Sequence, residues 1–252
     1  MPTESIASAV IRAGTAGWSI PRASARQFDV VGTHLERYSR RLSCAEINSS
    51  FYRPHASATY AKWRDSTPPE FRFAVKLPRT ITHERCLADA REPLAAFLDQ
   101  IQGLAEKRGP VLVQLPPSLQ FDETIVGRFF EQVRGLDHGA IVCEPRHATW
   151  FTPAADSLLK TFAVGRVAAD PPPVPSAADP GAWSGLAYFR LHGSPRKYWS
   201  RYDEGFLTTL VAAIRQVVSA DEVWCVFDNT ASGAAAANAL ELSDRLRRES
   251  AS

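Results

Sequence analysis

Short apolar runs alternate with longer segments of helical period along the whole chain. The runs IRAGTAG (11–17), CAEINSS (44–50), FRFAVKL (71–77), PVLVQLP (110–116), AIVCEP (140–145), FAVGRVAAD (162–170), LAYFRLHG (186–193) and EVWCVFDN (222–229) predict strands. Between them, 33–42, 91–108, 123–135, 204–218 and 234–249 carry apolar spacing near the helical period. Eight strands alternating with helices over 252 residues predict an α/β fold, a single-domain (β/α)8 TIM-type barrel spanning 1–252. A doubly wound open sheet is the alternative. No G-x-G-x-x-G turn follows the first strand and no G-x-x-x-x-G-K-[ST] occurs, which weighs against it. The Pro-, Ala- and Gly-rich stretch 170–185 reads as an irregular loop between the sixth and seventh strands.

Polar residues interrupt these runs in a regular way. Side chains along a strand alternate between faces, and in a barrel one parity faces inward. With the apolar-rich parity assigned to the helix layer, the inward parity reads Glu46 and Asn48, Lys76, Gln114, Glu144 with Arg146 beyond it, Arg190 and His192, and Asp228 followed by Asn229. All sit near the C-terminal ends of their strands, where this fold builds its active sites. Two readings compete. Glu46, Glu144 and Asp228 can pair with Lys76, Arg146 and Arg190 in a network that only satisfies itself and sets register. Alternatively the cluster is a functional site at the barrel mouth, because apolar layers would fill a purely structural barrel at lower cost.

Composition narrows little beyond this. The chain is 45% hydrophobic and 22% charged, so a full core needs no disulfide or metal staple. Net charge is +2, too mild to argue for nucleic acid from bulk charge. The N-terminal MPTESIASAVIRAG has no apolar stretch behind a basic start, and no run is long enough to span a membrane. Cys44, Cys86, Cys143 and Cys225 lack metal-type spacing, and three lie in predicted strands. The expectation is a reduced, cytoplasmic protein with no membrane partner.

The segments GTAGWSIP (14–21), AEINSSFYRP (45–54), FRFAVKLPRTITHE (71–84), GPVLVQLPPSLQFD (109–122), EPRHATWF (144–151), YFRLHG (188–193), RYDE (201–204) and FDNTASGAAAANAL (227–240) together resemble the YecE-like family, domain of unknown function 72. The resemblance runs from about residue 11 to 248. It implies a TIM-type barrel and supplies no reaction, the family's activity being unknown. Where the family commonly has E-F-R-H-P-S-W, this chain has EPRHATW: Pro145 and Ala148 depart, while Glu144, Arg146, His147 and Trp150 match.

Several chemistries fit the cluster. The first is acid–base catalysis of lyase, isomerase or hydrolase type, with Glu46, Lys76, Glu144 and His192 as the candidate catalytic groups. Lys76 could instead form a Schiff base if burial lowers its pKa, although a strand lysine is more often an ion-pair partner. The second is capture of a small anion or phosphate, with Asn48, Tyr52, Gln114, Arg146, His147, Arg190, Asp228 and Asn229 as candidate contacts. The basic and aromatic loop GSPRKYWSRY (193–202) would also suit nucleic acid, a less favoured reading, or simply cover the barrel rim. A non-catalytic ligand-binding barrel is a further reading. A divalent metal on His83, His147 or His192 with the two glutamates lacks any local signature, so no residue is assigned as a metal ligand and the cofactor stays open. Ser49, Ser50 and Ser194 lie near the mouth without an evident base, and no G-x-S-x-G elbow occurs.

Overall fold

The structure is a computed structural model and describes residues 9–217 and 220–250. Strands β1 (Val10–Ala16), β2 (Cys44–Ile47), β3 (Arg72–Lys76), β4 (Arg108–Gln114), β5 (Ile141–Glu144), β6 (Val164–Arg166), β7 (Ala168–Asp170), β8 (Gly181–Ala182), β9 (Leu186–Leu191) and β10 (Glu222–Phe227) form one sheet. Its order is β7-β9-β10-β1-β2-β3-β4-β5-β6-β8. Every pairing is parallel except β6 with β8. Only Val167 separates β6, which pairs with β5, from β7, which pairs with β9. One chain segment thus joins the two ends of the order, and the sheet is barrel-like and nearly closed. Helices α1 (His34–Ser39), α2 (Ser57–Asp65), α3 (Arg91–Ile101), α4 (Glu123–Leu136), α5 (Pro153–Thr161) and α6 (Glu204–Gln216) lie between strands, and α7 (Ala234–Ser250) follows the last one.

Two apolar clusters follow the strand alternation. The larger packs the outward strand faces, such as Ile47, Phe73, Val113, Phe189 and Phe227, against helical residues such as Phe129, Leu207 and Leu240. The smaller gathers Cys44, Ala74, Leu112, Val142, Val167, Tyr188, Trp224 and Val226, the opposite parity, inside the sheet. Tyr188 and Trp224 stack there with ring planes 8° apart. The inside is therefore apolar in its lower part, and the polar residues of the same parity lie above it at the strand ends.

Four expectations need correction. The run 44–50 is a strand only to Ile47. Asn48 is helical in backbone (φ −84°, ψ −18°) and a short 3-10 turn occupies Ser49–Phe51, so alternation does not orient Asn48. Helices α2 and α5 were not expected; α2 buries only Tyr60, and both are short, so neither leaves a long periodic signal. The predicted 91–108 helix ends at Ile101, beyond which a tighter turn carries Ala105 at φ 47°. The loop 170–185 is not wholly irregular, since β8 forms within it. Residues 1–8 of the N-terminal stretch and Val218, the end of a predicted helix, lie outside the described residues. No helix among the described residues is long and apolar enough to cross a membrane.

Glycine at position 14 is required by strand contact. A Cβ there would stand 2.0 Å from the Cys44 carbonyl oxygen across the β1–β2 pair. Backbone cannot yield as a flexible side chain can. Gly14→Ala is expected to destabilise the fold by at least about 2 kcal/mol, measured as a lower urea midpoint with an unchanged slope.

Candidate functional site

Arg190, on β9, is 1% exposed and sits among three carboxylates. Its Nε donates to Glu46 Oε2 at 3.0 Å and its Nη2 to Glu46 Oε1 at 2.7 Å, a two-point grip on one carboxylate. Its Nη1 donates to Glu144 Oε2 at 3.2 Å, and its Nη2 pairs with Asp228 Oδ2 at 3.0 Å. Tyr188, also on β9, donates its hydroxyl to Glu46 Oε2 at 2.9 Å. Burial opposes the guanidinium charge, but Asp228, Glu46 and Glu144 outweigh it and hold Arg190 well above its usual range.

His192 lies one residue past β9, and its backbone N–H still bonds to Asp170 at 2.7 Å. The ladder therefore keeps its parity, and the ring reaches Asp228 Oδ2 through Nδ1 at 3.0 Å. Its Nε2 stands 2.7 Å from Glu144 Oε1 and 2.6 Å from Arg146 Nη2. Arg146 Nη2 also pairs with Glu144 Oε1 at 2.6 Å. A ring nitrogen cannot donate to a carboxylate and accept from a guanidinium at once, so Nε2 has two alternative partners. Burial alone would push the Glu144 carboxyl up, but Arg146, Arg190 and His192 overcome it and hold it well below the usual carboxylate range. Asp228 is held low in the same way, by Arg190, His192 and Lys76 against burial.

Lys76 is placed differently from the expected ion-pair partner. It is 6% exposed and forms no salt bridge or hydrogen bond through Nζ among the described residues. The ammonium group lies over the Phe51 ring, 4.0 Å from its centre. Burial, helped by the nearby charge of Arg190, pulls its pKa down to about 8 against the opposing field of Glu46, Glu144 and Asp228. Ser50, buried beside it, donates its hydroxyl to the carbonyls of Ile47 and of Lys76 itself at 2.8 and 2.7 Å, tying the β2 and β3 ends together.

The other candidates scatter. Asn48 keeps a buried, unpartnered Oδ1, and Arg146 an unpartnered Nε. Gln114 donates to the neighbouring Leu115 carbonyl at 3.1 Å. Asn229 ties the 193–202 loop to α7, donating to Ser200 and Asn238, while its own Oδ1 is unpartnered. His147 accepts from the Thr149 amide and caps a short turn. Tyr52 is 70% exposed and lines a separate cavity of about 260 Å³ with Arg53 and Arg79, beside α3. In the 193–202 loop, Arg196 lies over Trp199 and Arg201 pairs with Glu241. Tyr198 sets its ring edge-on against His192, and Lys197 feels the charges of Arg146 and Glu144. His83 bonds to Thr82 and leans on Phe51. Among the described residues no group of His, Cys, Asp and Glu side chains is arranged to hold a metal.

Three contributors escaped the sequence reading. Tyr188 shares the parity of Arg190 but passes for an apolar strand residue. Phe51 follows the strand and shows no pattern. His55 stands 2.8 Å from the Ser49 hydroxyl, giving that serine the partner it lacked, and packs edge-on against Tyr60 and Trp63.

Replacing Arg190 by Met leaves the three carboxylates without their shared cation and is expected to cost about 3–5 kcal/mol, read from urea unfolding. Lys76→Met is expected to act in the opposite direction. With a folded pKa of about 8 against the ordinary lysine value of 10.5, charging Lys76 opposes folding. That cost is complete below pH 8 and disappears as pH rises toward 10.5, because the unfolded chain binds the extra proton in that window. Allowing for the lost ring contact, Lys76→Met gains about 2 kcal/mol at pH 7 and almost nothing near pH 10.5. Unfolding curves of both proteins across this range measure the convergence.

Comparison with known proteins agrees with this architecture. The UPF0759 protein YecE of Escherichia coli K12 is 30% identical over 152 residues, covering 58% of this chain and 55% of that protein. Its counterpart from strain O157:H7 is 34% identical over 84 residues, 33% of this chain and 31% of that protein. The matches thus span about half or less of these curated relatives. A crystal structure of a DUF72 family protein from Thermotoga maritima MSB8 superposes with TM-score 0.79 at 25% identity, covering 94% of this chain and 99% of that one. SacUVDE shares the fold alone, at TM-score 0.56 and 11% identity over 95% of this chain and 99% of its own. The family model described as "Protein of unknown function DUF72" matches residues 12–252, and the chain belongs to that family.

Proposed function

We propose that this protein is an enzyme of the TIM-type (β/α)8 class that binds a small anionic, phosphorylated ligand at the C-terminal mouth of its sheet and acts on it by acid–base chemistry. The barrel class is supported by a count. If β6 and β7 are one strand interrupted at Val167, and the two-residue β8 is set aside, the ten strands reduce to eight parallel ones. The functional reading rests on one observation above all: Lys76 is a buried amine at a strand end with no anion of its own. A buried cation without a partner is costly, and an anionic ligand would offset that cost. Arg146, with Nε free, and Lys197 add positive charge on the same side.

The candidate residues divide by how fully they are engaged. Glu46 has both oxygens taken by Arg190 and Tyr188, and Glu144 is held ionised by Arg146, Arg190 and His192. Both position their neighbours. His192, whose Nε2 alternates between Glu144 and Arg146, and Asp228 beside it form the proton-handling pair. Lys76, Arg146 and Asn48 contact the ligand.

The test is ligand-induced thermal stabilisation with inorganic phosphate and a panel of sugar phosphates, at several salt concentrations. A saturable shift is expected, weakened at least about tenfold in affinity in Arg146→Met. Absence of any saturable shift, or an identical shift in the variant, overturns the reading.

A further inference from the structure

Resting on that anionic mouth, we infer that Lys76 is a nucleophile and that the substrate carries an aldehyde or ketone, held through an imine to the Lys76 Nζ. An amine serving only as a structural cation would be expected to sit beside a carboxylate. Three carboxylates, Glu46, Glu144 and Asp228, act on this amine through space, yet Arg190 takes them all and Lys76 pairs with none. The amine rests instead on the Phe51 ring, which neither accepts its proton nor blocks its lone pair once the proton has left. Its backbone is held at the β3 end by Ser50, whose hydroxyl bonds the Lys76 carbonyl, so the amine projects from a fixed point. The burial that lowers its affinity for a proton supplies neutral amine near pH 7.

The same surroundings suit the product of addition. The Nζ lone pair attacks the carbonyl carbon and forms the C–N bond, and the carbonyl π pair moves to oxygen, which takes a proton. The added nitrogen loses one proton. A second proton on the hydroxyl lets it leave as water while nitrogen donates its pair to form C=N. The product is the protonated imine; from the neutral amine the net change is uptake of one proton and loss of one water, with no oxidation or reduction, and water reverses it. The Asp228–His192 pair exchanges the protons. The protonated imine carries a positive charge, which the nearby carboxyl groups of Glu46, Glu144 and Asp228 favour. Arg146 and Lys197 would receive the substrate's phosphate.

The experiment is reductive trapping. The protein is treated with glycolaldehyde phosphate or pyridoxal 5′-phosphate and sodium cyanoborohydride at pH 7, then read by intact mass and peptide mapping. One adduct per chain is expected, on Lys76, formed at least about tenfold faster than on Lys62, Lys107, Lys160 or Lys197 and slowed by inorganic phosphate. Lys76→Arg, which keeps the charge but removes the nucleophilic amine, should lose the adduct. Adducts spread evenly over the lysines, or undiminished in Lys76→Arg, overturn the inference. A preserved phosphate shift without any Lys76 adduct removes the imine and leaves the anion-binding mouth standing. A Lys76 adduct that inorganic phosphate does not slow, with no phosphate-induced thermal shift, removes the anionic ligand and leaves the nucleophile standing.

Discussion

One guanidinium organises the upper half of this protein. Arg190 arrives on β9 and meets carboxylates from β2, β5 and the end of β10. Ionised carboxylates cannot be buried together without a cation, and a buried cation cannot be held without them. The ends of these strands are therefore fixed relative to one another by charge as well as by ladder hydrogen bonds. The lower interior, where Leu112, Val142, Tyr188 and Trp224 fill the same parity, shows that this chain fills its barrel-like sheet with apolar side chains where nothing else is needed. A charged upper layer is the dearer solution, since apolar replacement of a buried ion network is often neutral or stabilising. Its position at the C-terminal strand ends is what the proposed use as a binding site would account for.

That arrangement also explains Lys76. Arg190 makes four contacts with three carboxylates from one rigid fork, which a lysine on a flexible stem cannot match. With the carboxylates so engaged, Lys76 is left within their field but outside their hydrogen bonds. Its charge is neither neutralised by contact nor released to water, and burial decides its proton affinity. The network thus produces a perturbed amine without touching it.

Much of this was readable from alternation. The strands fell close to the expected runs, and Glu46, Glu144, Arg190, His192 and Asp228 did converge, the last two because ladder hydrogen bonds continue one residue past each strand. What alternation cannot encode is choice of partner. Lys76 and Arg190 share one parity, and nothing in their local sequence says which cation wins the carboxylates; that depends on register across the whole sheet and on side-chain geometry. Residues set by turns were equally hidden. Asn48 follows a strand, but its helical backbone turns it away from the alternation, and Tyr52 and His147 belong to loops with local tasks. Helix α2 buries a single tyrosine, too little to leave a periodic trace.

The division of labour in the site follows from the same electrostatics. Catalysis by a pair of carboxylates requires that one of them hold a proton at working pH, which demands burial without cations or a like charge unrelieved. Here every carboxylate is met by arginine: Glu46 by a two-point grip, Glu144 from both sides, Asp228 through one oxygen. Glu144 and Asp228 are held ionised, and neither supplies a proton from its own store near neutrality. The group whose proton affinity the surroundings move toward neutrality is the Lys76 amine, whose charge burial has made expensive, while the His192 Nε2 faces both a carboxylate and a guanidinium. With its acids engaged by arginine, the site leaves the proposed reactivity to its nitrogen bases.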